Sequence, residues 1–250
     1  MAVQYVLLAL LAWLKVEVRG QTELTLAEKE NILRFHNYLR TTVVPLASNM
    51  EIMLWSDELA AVAQAYAETC VFRHNPERSQ QAGQLYAYVG ENLAITSNPK
   101  KNYTDLINSW FQEREYYDFE TNSCLPGQMC GHYTQIVWAS TGHVGCGVHR
   151  CRSAVGFNYP NSLNFVCNYG PGGNYPGVQP YVRAEESCAH CPRRKPFCVS
   201  RLCTSDPLAT FDGYSSLSIA AGDAEISGGF HRLAALWTVV VFCAVIAFNV

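Results

Sequence analysis

Eleven cysteines in 250 residues constrain this chain more than any other feature. Ten of them lie between Cys70 and Cys203, an even number that can close entirely into disulfides, while Cys243 sits apart in an apolar tail. Such spacing behind an apolar leader points to an oxidising compartment rather than to a cytosolic metal cluster. The leader is residues 1–20. Its uncharged run, Val6 to Leu14, precedes a polar patch ending Val18-Arg19-Gly20, with small or medium residues where a signal peptidase reads. A secretory signal is expected, although no Lys or Arg opens it. The other reading, a buried N-terminal helix, fits poorly with so short and unpatterned a run.

With 49% hydrophobic and 16% charged residues, the remaining length suits one medium domain, residues 21–183, plus appendages. The net charge of -3 and the absence of a long basic run leave no electrostatic footprint for nucleic acid, which is excluded as the main partner. Residues 184–204 contain CAHCPRRKPFCVSRLC, too rich in cysteine, proline and basic residues for an apolar core of its own. A small disulfide-held hinge module is expected there. Cys188-x-x-Cys191 alone could be a redox or zinc pair, but no βαβ pattern surrounds it. Residues 205–232 read as a flexible linker rich in Ser, Gly and Ala, and 233–250 as a hydrophobic tail. The tail either directs a glycolipid anchor, with small residues at Ala220-Ala221-Gly222 or Ser227 to Gly229, or spans the membrane. Either outcome places the protein at the extracellular face of the plasma membrane.

Three segments carry helical spacing. Thr25 and Glu28 form a capping-box pattern ahead of Ile32, Leu33, His36 and Leu39. Ser56 precedes Asp57 and Glu58, then a stripe of Leu59, Val62, Ala63, Tyr66 and Cys70. A third helix starting near Thr104 is predicted to place Leu106, Trp110, Glu113 and Tyr117 on one stripe, where the acid is out of place. Phe72 to Tyr88 reads as a loop. The glycines at 142, 145 and 147 alternate with valines, and Leu163 to Asn168 is a short apolar run, so both read as strands, paired antiparallel. Asn168 and Tyr169, beside the glycines of CNYGPGGN, are expected to shape a turn. Helices around a small sheet give an α+β fold.

The segment Cys130 to Trp138, CGHYTQIVW, fits a strand face or a helix stripe equally well. Its wording is more informative. GHYTQ-x-VW, together with FHNYLR (Phe35 to Arg40), GENLA (Gly90 to Ala94) and FVCNYGPGGNYPG (Phe165 to Gly177), resembles in order the four signatures of the CAP superfamily. That superfamily comprises the cysteine-rich secretory, antigen 5 and pathogenesis-related 1 proteins. The flanking wording is most similar to its peptidase inhibitor 16 branch. The resemblance implies a three-layer α-β-α sandwich with a small antiparallel sheet, and a short helix at the CGHYTQIVW segment. It also implies the disulfides Cys70–Cys151, Cys146–Cys167, Cys188–Cys198 and Cys191–Cys203, with Cys124 and Cys130 closing a short loop.

The same resemblance carries four cleft residues onto His74, Glu91, Glu113 and His132. Two readings stand side by side. In one, His74 and His132 bind a divalent metal, most plausibly zinc, while the carboxylates orient them. In the other, the four form a structural hydrogen-bonded network. Glu113 needs a cation, donors or a proton in either case. His36, Asn37 and Arg40 read as structural, with nothing catalytic in their spacing. A catalytic reading would use Glu113 and Glu91 as acid and base, or Ser140 with His132, but no strained nucleophile turn is visible. HExxH, GxSxG, Walker and EF-hand patterns are absent. The expected function is therefore a non-enzymatic extracellular module that binds a protein or a lipid or sterol ligand. A peptidase inhibitor and a metal-assisted hydrolase are the alternatives. Asn102-Tyr103-Thr104 is a glycosylation sequon, whereas Asn75 and Asn98 are followed by proline.

Overall fold

The computed structural model describes residues 23–83, 85–98 and 100–209. The leader, the apolar tail with Cys243, the candidate anchor sites and all but the start of the linker lie outside the described residues.

Helix α1 spans Leu26–Thr41 and begins on the expected capping box: Glu28 N–H donates to Thr25 Oγ1, and Thr25 N–H donates to Glu28 Oε2 at 2.8 Å. Strand β1 is Leu54–Trp55. Helix α2, Asp57–Glu68, is capped by the Ser56 hydroxyl, which accepts from Leu59 N–H at 3.2 Å. It ends before Cys70, which takes a left-handed φ of 56° to leave the helix direction. The predicted loop that follows holds one helical turn, α3, Arg78–Gln81. Then come strand β2, Gly90–Thr96, and helix α4, Tyr103–Phe111.

The third predicted helix does not continue to Tyr117. The α-helical turns stop at Phe111, and Gln112–Tyr116 tightens into a 3-10 helix. Tightening rotates Glu113 away from the α-helical stripe and toward the next helix. Strands β3 (Tyr117–Asp118) and β4 (Ser123–Cys124) form a small hairpin, and helix α5, Gly131–Ile136, carries the signature segment. Strands β5 (His143–Cys151) and β6 (Ser162–Gly170) follow. Strands β7 (Phe197–Val199) and β8 (Leu202–Thr204) close the described chain.

The main sheet has the order β1-β5-β6-β2. Its three long strands are antiparallel, as expected, and the two-residue β1 adds a parallel edge against His143 and Val144. Asn168 and Tyr169 are strand residues of β6, buried and paired with both neighbours, and not part of a turn; the chain turns only after Gly170.

Helix α2 covers one face of the sheet, where Ala63 and Ala67 pack on Leu93 and Val166. Helices α1, α4 and α5 cover the other, around Val144, Val148, Phe165 and Tyr169. Side chains alternate across a strand, so each face draws on every second residue. Gly145 and Gly147 let α2 lie directly on β5: a Cβ at either would stand 2.2 Å from the helix backbone, at Ala60 N and Gln64 N. Gln64 then serves the outer edge of β5, accepting from Val148 N–H at 2.9 Å and donating to Val148 O at 3.1 Å.

Arg40 ties the helical layer together. Its guanidinium is buried and makes six hydrogen bonds to five carbonyls, those of Glu51, Ile136, Trp138, Ala139 and Thr141. Beside it, Asn37 pairs with both backbone groups of Met53, at 3.0 and 2.8 Å.

The five bridges are Cys70–Cys151, Cys124–Cys130, Cys146–Cys167, Cys188–Cys198 and Cys191–Cys203, the pairs the resemblance implies. The cysteine-rich hairpin has little interior of its own and borrows the main core. Leu202 and Cys203 are fully buried, Cys203 exchanges backbone hydrogen bonds with Met50 and Ile52, and Glu51 pairs with Arg194 and with Lys195 at 2.9 Å.

Candidate functional site

The site is assembled at the start of the edge strand β2, where Glu91 and Asn92 point to opposite faces of the sheet. Glu91 shares its face with Asn168 and Gly145, the α2 side. Its Oε1 accepts from His74 Nδ1 at 2.9 Å and from Asn75 N–H at 2.9 Å. The carboxylate is buried, while the His74 ring is 60% exposed. Glu91 Oε2 and both amide atoms of Asn168, its register partner, are buried without a hydrogen bond among the described residues.

On the other face, the 3-10 turn delivers Glu113 to the N-terminus of α5. That helix has no side-chain cap of its own at Cys130. Glu113 supplies one from outside: Oε2 accepts from His132 N–H at 3.0 Å and Tyr133 N–H at 3.3 Å. Its Oε1 accepts from His132 Nδ1 at 2.6 Å. Two orphan helix donors and an imidazole thus compensate the largely buried charge. The His132 ring lies flat against Trp110, centroids 5.8 Å apart, and Trp110 lies on Phe165 at 5.5 Å.

A carboxylate only accepts, so Nδ1 of His74 and of His132 each carries a proton. Neither Nε2 makes a hydrogen bond among the described residues. This is the arrangement in which an outer carboxylate fixes the tautomer and leaves Nε2 as the ligand atom.

Asn92 holds the His132 side in place. Its amide donates to His132 O at 3.1 Å and to the Tyr169 hydroxyl at 3.3 Å. Tyr169 lies 2.9 Å from His36 Nε2, and His36 Nδ1 lies 2.8 Å from Ile32 O. The carbonyl requires a proton on His36 Nδ1, and in the neutral ring that burial favours, Nε2 accepts from tyrosine. Burial pushes the His36 pKa down to about 4 and that of the Tyr169 phenol up. This relay was not evident in the sequence. Asn92 stands inside GENL as an amide between an acid and a leucine, and its alternation against Glu91 is the signal that could have found it.

The four carried-over residues thus form two His–Glu pairs rather than one compact cluster. Among the described residues, three ligand atoms close enough for one ion occur at Cys188, Cys191 and Cys203, within 4.8 Å of one another, and all three sulfurs are in disulfides. The two Nε2 atoms, each backed by a carboxylate, fit a divalent ion in their chemistry. As only two imidazoles, they fit a weakly held one.

The family model for the cysteine-rich secretory protein family matches residues 33–169, more than half of the chain and all four signature segments except the end of the last. The chain belongs to the CAP family. This CAP chain is 43% identical over 171 residues to "Peptidase inhibitor 16" of Mus musculus, covering 68% of this chain and 32% of that protein. It is 39% identical over 181 residues to "GLIPR1-like protein 1" of Homo sapiens, covering 72% of each. The matched region thus spans about a third of the peptidase inhibitor 16 relatives. Among solved structures, "NaASP2 with Zn2+" superposes with a TM-score of 0.55 at 26% identity, over 74% of this chain and 98% of that one. The α-β-α sandwich of this CAP domain is therefore that of its family.

Proposed function

We propose that this CAP protein is a non-enzymatic extracellular module that binds a protein or a lipid or sterol ligand at the surface around His74 and His132. The observation that carries this reading is the commitment of both carboxylates. Glu113 spends its two oxygens on three donors of α5, and Glu91 spends Oε1 on His74 and Asn75. Glu113 has no oxygen left to act as a general base, and the unbonded Oε2 of Glu91 is buried away from solvent, which weighs against a metal-assisted hydrolase. The ten paired cysteines offer no thiolate nucleophile. Zinc, when bound, would sit on the Nε2 atoms of His74 and His132 and supply a fixed positive charge to the binding surface. The similar structure of NaASP2 with Zn2+ supports the choice of metal.

Peptidase inhibition is the second reading, favoured by the name of the relatives at about 43% identity. Secretion and attachment through the residue 233–250 tail complete the proposal. A phosphatidylinositol-specific phospholipase releases the protein from cells if the tail directs a glycolipid anchor, and leaves it in place if the tail spans the membrane. The binding reading is tested by capturing extracellular proteins and lipids on the purified protein and on its His74→Ala/His132→Ala variant. A ligand retained by the first and lost by the second is expected. Turnover of an ester or peptide panel that disappears in the variant would contradict the proposal.

A further inference from the structure

An apolar groove of about 530 Å³ runs between α1 and the start of α4, far from the His–Glu pairs in its lining. Ile32, Phe35 and Tyr38 line it from α1, and Asn102, Tyr103 and Thr104 from α4. The Phe35 and Tyr38 rings lie nearly parallel, centroids 6.1 Å apart, and Tyr38 is 50% exposed. Phe35 is half-buried beside it, so the pair offers a flat aromatic floor to the groove. The residue at the groove's edge is the asparagine of the chain's single Asn-x-Ser/Thr sequon without proline.

Asn102 is also the N-cap of α4. Its Oδ1 accepts from Asp105 N–H and from the Thr104 hydroxyl, both at 2.8 Å. Its Nδ2 makes no hydrogen bond among the described residues. The cap therefore uses the oxygen alone, and substitution on the nitrogen leaves it intact.

We infer that Asn102 carries an N-linked glycan whose first sugar rings lie along this groove, over Phe35 and Tyr38. The inference rests on the extracellular reading, because the modification belongs to the secretory pathway. A lipid-linked oligosaccharide diphosphate is the donor: the Asn102 Nδ2–C1 bond forms, the C1–O bond to the diphosphate breaks, and one amide proton is released. The apolar faces of the first sugars then stack on the aromatic rings, and their hydroxyl edges meet water. The glycan covers from outside what the protein leaves bare.

The test uses the full chain expressed in secretory animal cells. Appearance in the secretory pathway, by protease protection and secretion or surface labelling, reads the compartment separately from the glycan. A mobility shift with peptide-N-glycosidase, absent in Thr104→Ala and kept in Thr104→Ser, reads the modification. Enzymatic removal leaves aspartate at 102, which caps as well as asparagine, so the helix is preserved. Iodination followed by peptide mapping then reads the groove. Tyr38 is expected to react severalfold more slowly in the glycosylated protein than after removal, while Tyr175, 48% exposed, reacts equally in both. A chain that enters the pathway without the shift overturns the inference and leaves the extracellular reading standing. A shift with equal Tyr38 rates overturns the seating of the glycan. A cytosolic, unshifted chain overturns both the inference and the reading beneath it.

Discussion

Replacing Arg40 with lysine keeps a positive charge and removes the planar fork. The magnitude follows from the five carbonyls the guanidinium serves. Those of Trp138 and Ala139 keep a second donor, from Thr141 N–H at 3.1 Å and Glu51 N–H at 3.0 Å. Those of Glu51, Ile136 and Thr141 depend on the guanidinium. Nη1 reaches Ile136 and Trp138, whereas Nη2 reaches Glu51, Ala139 and Thr141, so the acceptors lie on separate arms. One ammonium cannot occupy both positions. Leaving one or two buried carbonyls unserved, at about 1–3 kcal/mol each, costs about 1–6 kcal/mol. Urea unfolding of the disulfide-intact protein measures it as a lowered midpoint at an unchanged slope. A loss below about 1 kcal/mol would refute the reasoning, because it would mean that the carbonyls find other donors at little cost.

Further outcomes follow from the same contacts. His36 has a folded pKa of about 4 against an ordinary 6.5, so the unfolded chain binds more protons between those values. The associated stability is present above pH 6.5 and is lost as pH falls toward 4, by about 3 kcal/mol, and His36→Gln flattens that part of the pH–stability curve. Glu113→Gln places an amide where three donors converge; a cooperative melt should persist, with zinc affinity lowered by about 10 to 100-fold in calorimetric titration. Gly147→Ala drives a methyl into the α2 backbone and should cost about 1–3 kcal/mol or more, read by the same urea curves.

What the sequence disclosed and what it hid divide along the range of the interactions. The caps at Thr25 and Ser56 were legible because donor and acceptor lie three residues apart. The β5–β6 pairing was legible from alternation, and the glycines within it from the same pattern. The course of the chain after Phe111 was not, because the 3-10 turn is set by the capture of Glu113 at α5, about twenty residues further along. Strand β1 is too short for any periodicity. Asn168 and Tyr169 borrowed the look of the glycine-rich turn that begins two residues later. Arg40 read as part of a structural motif, but the carbonyls that justify its burial lie up to 101 residues away. Family resemblance located His74, Glu91, Glu113 and His132. Only coordinates divide them into two pairs and show Asn92 holding the His132 side.

The central claim is that carboxylates hold His74 and His132 through Nδ1 and leave each Nε2 as the atom that binds in the proposed function. Side-chain nitrogen-15 NMR of the labelled protein tests it directly. The account predicts protonated Nδ1 and lone-pair Nε2 at both His74 and His132, and a zinc titration that shifts both Nε2 resonances while leaving His36 unchanged. A neutral ring with its proton on Nε2 and a bare Nδ1 at either histidine, or a zinc response confined to one histidine, would contradict it.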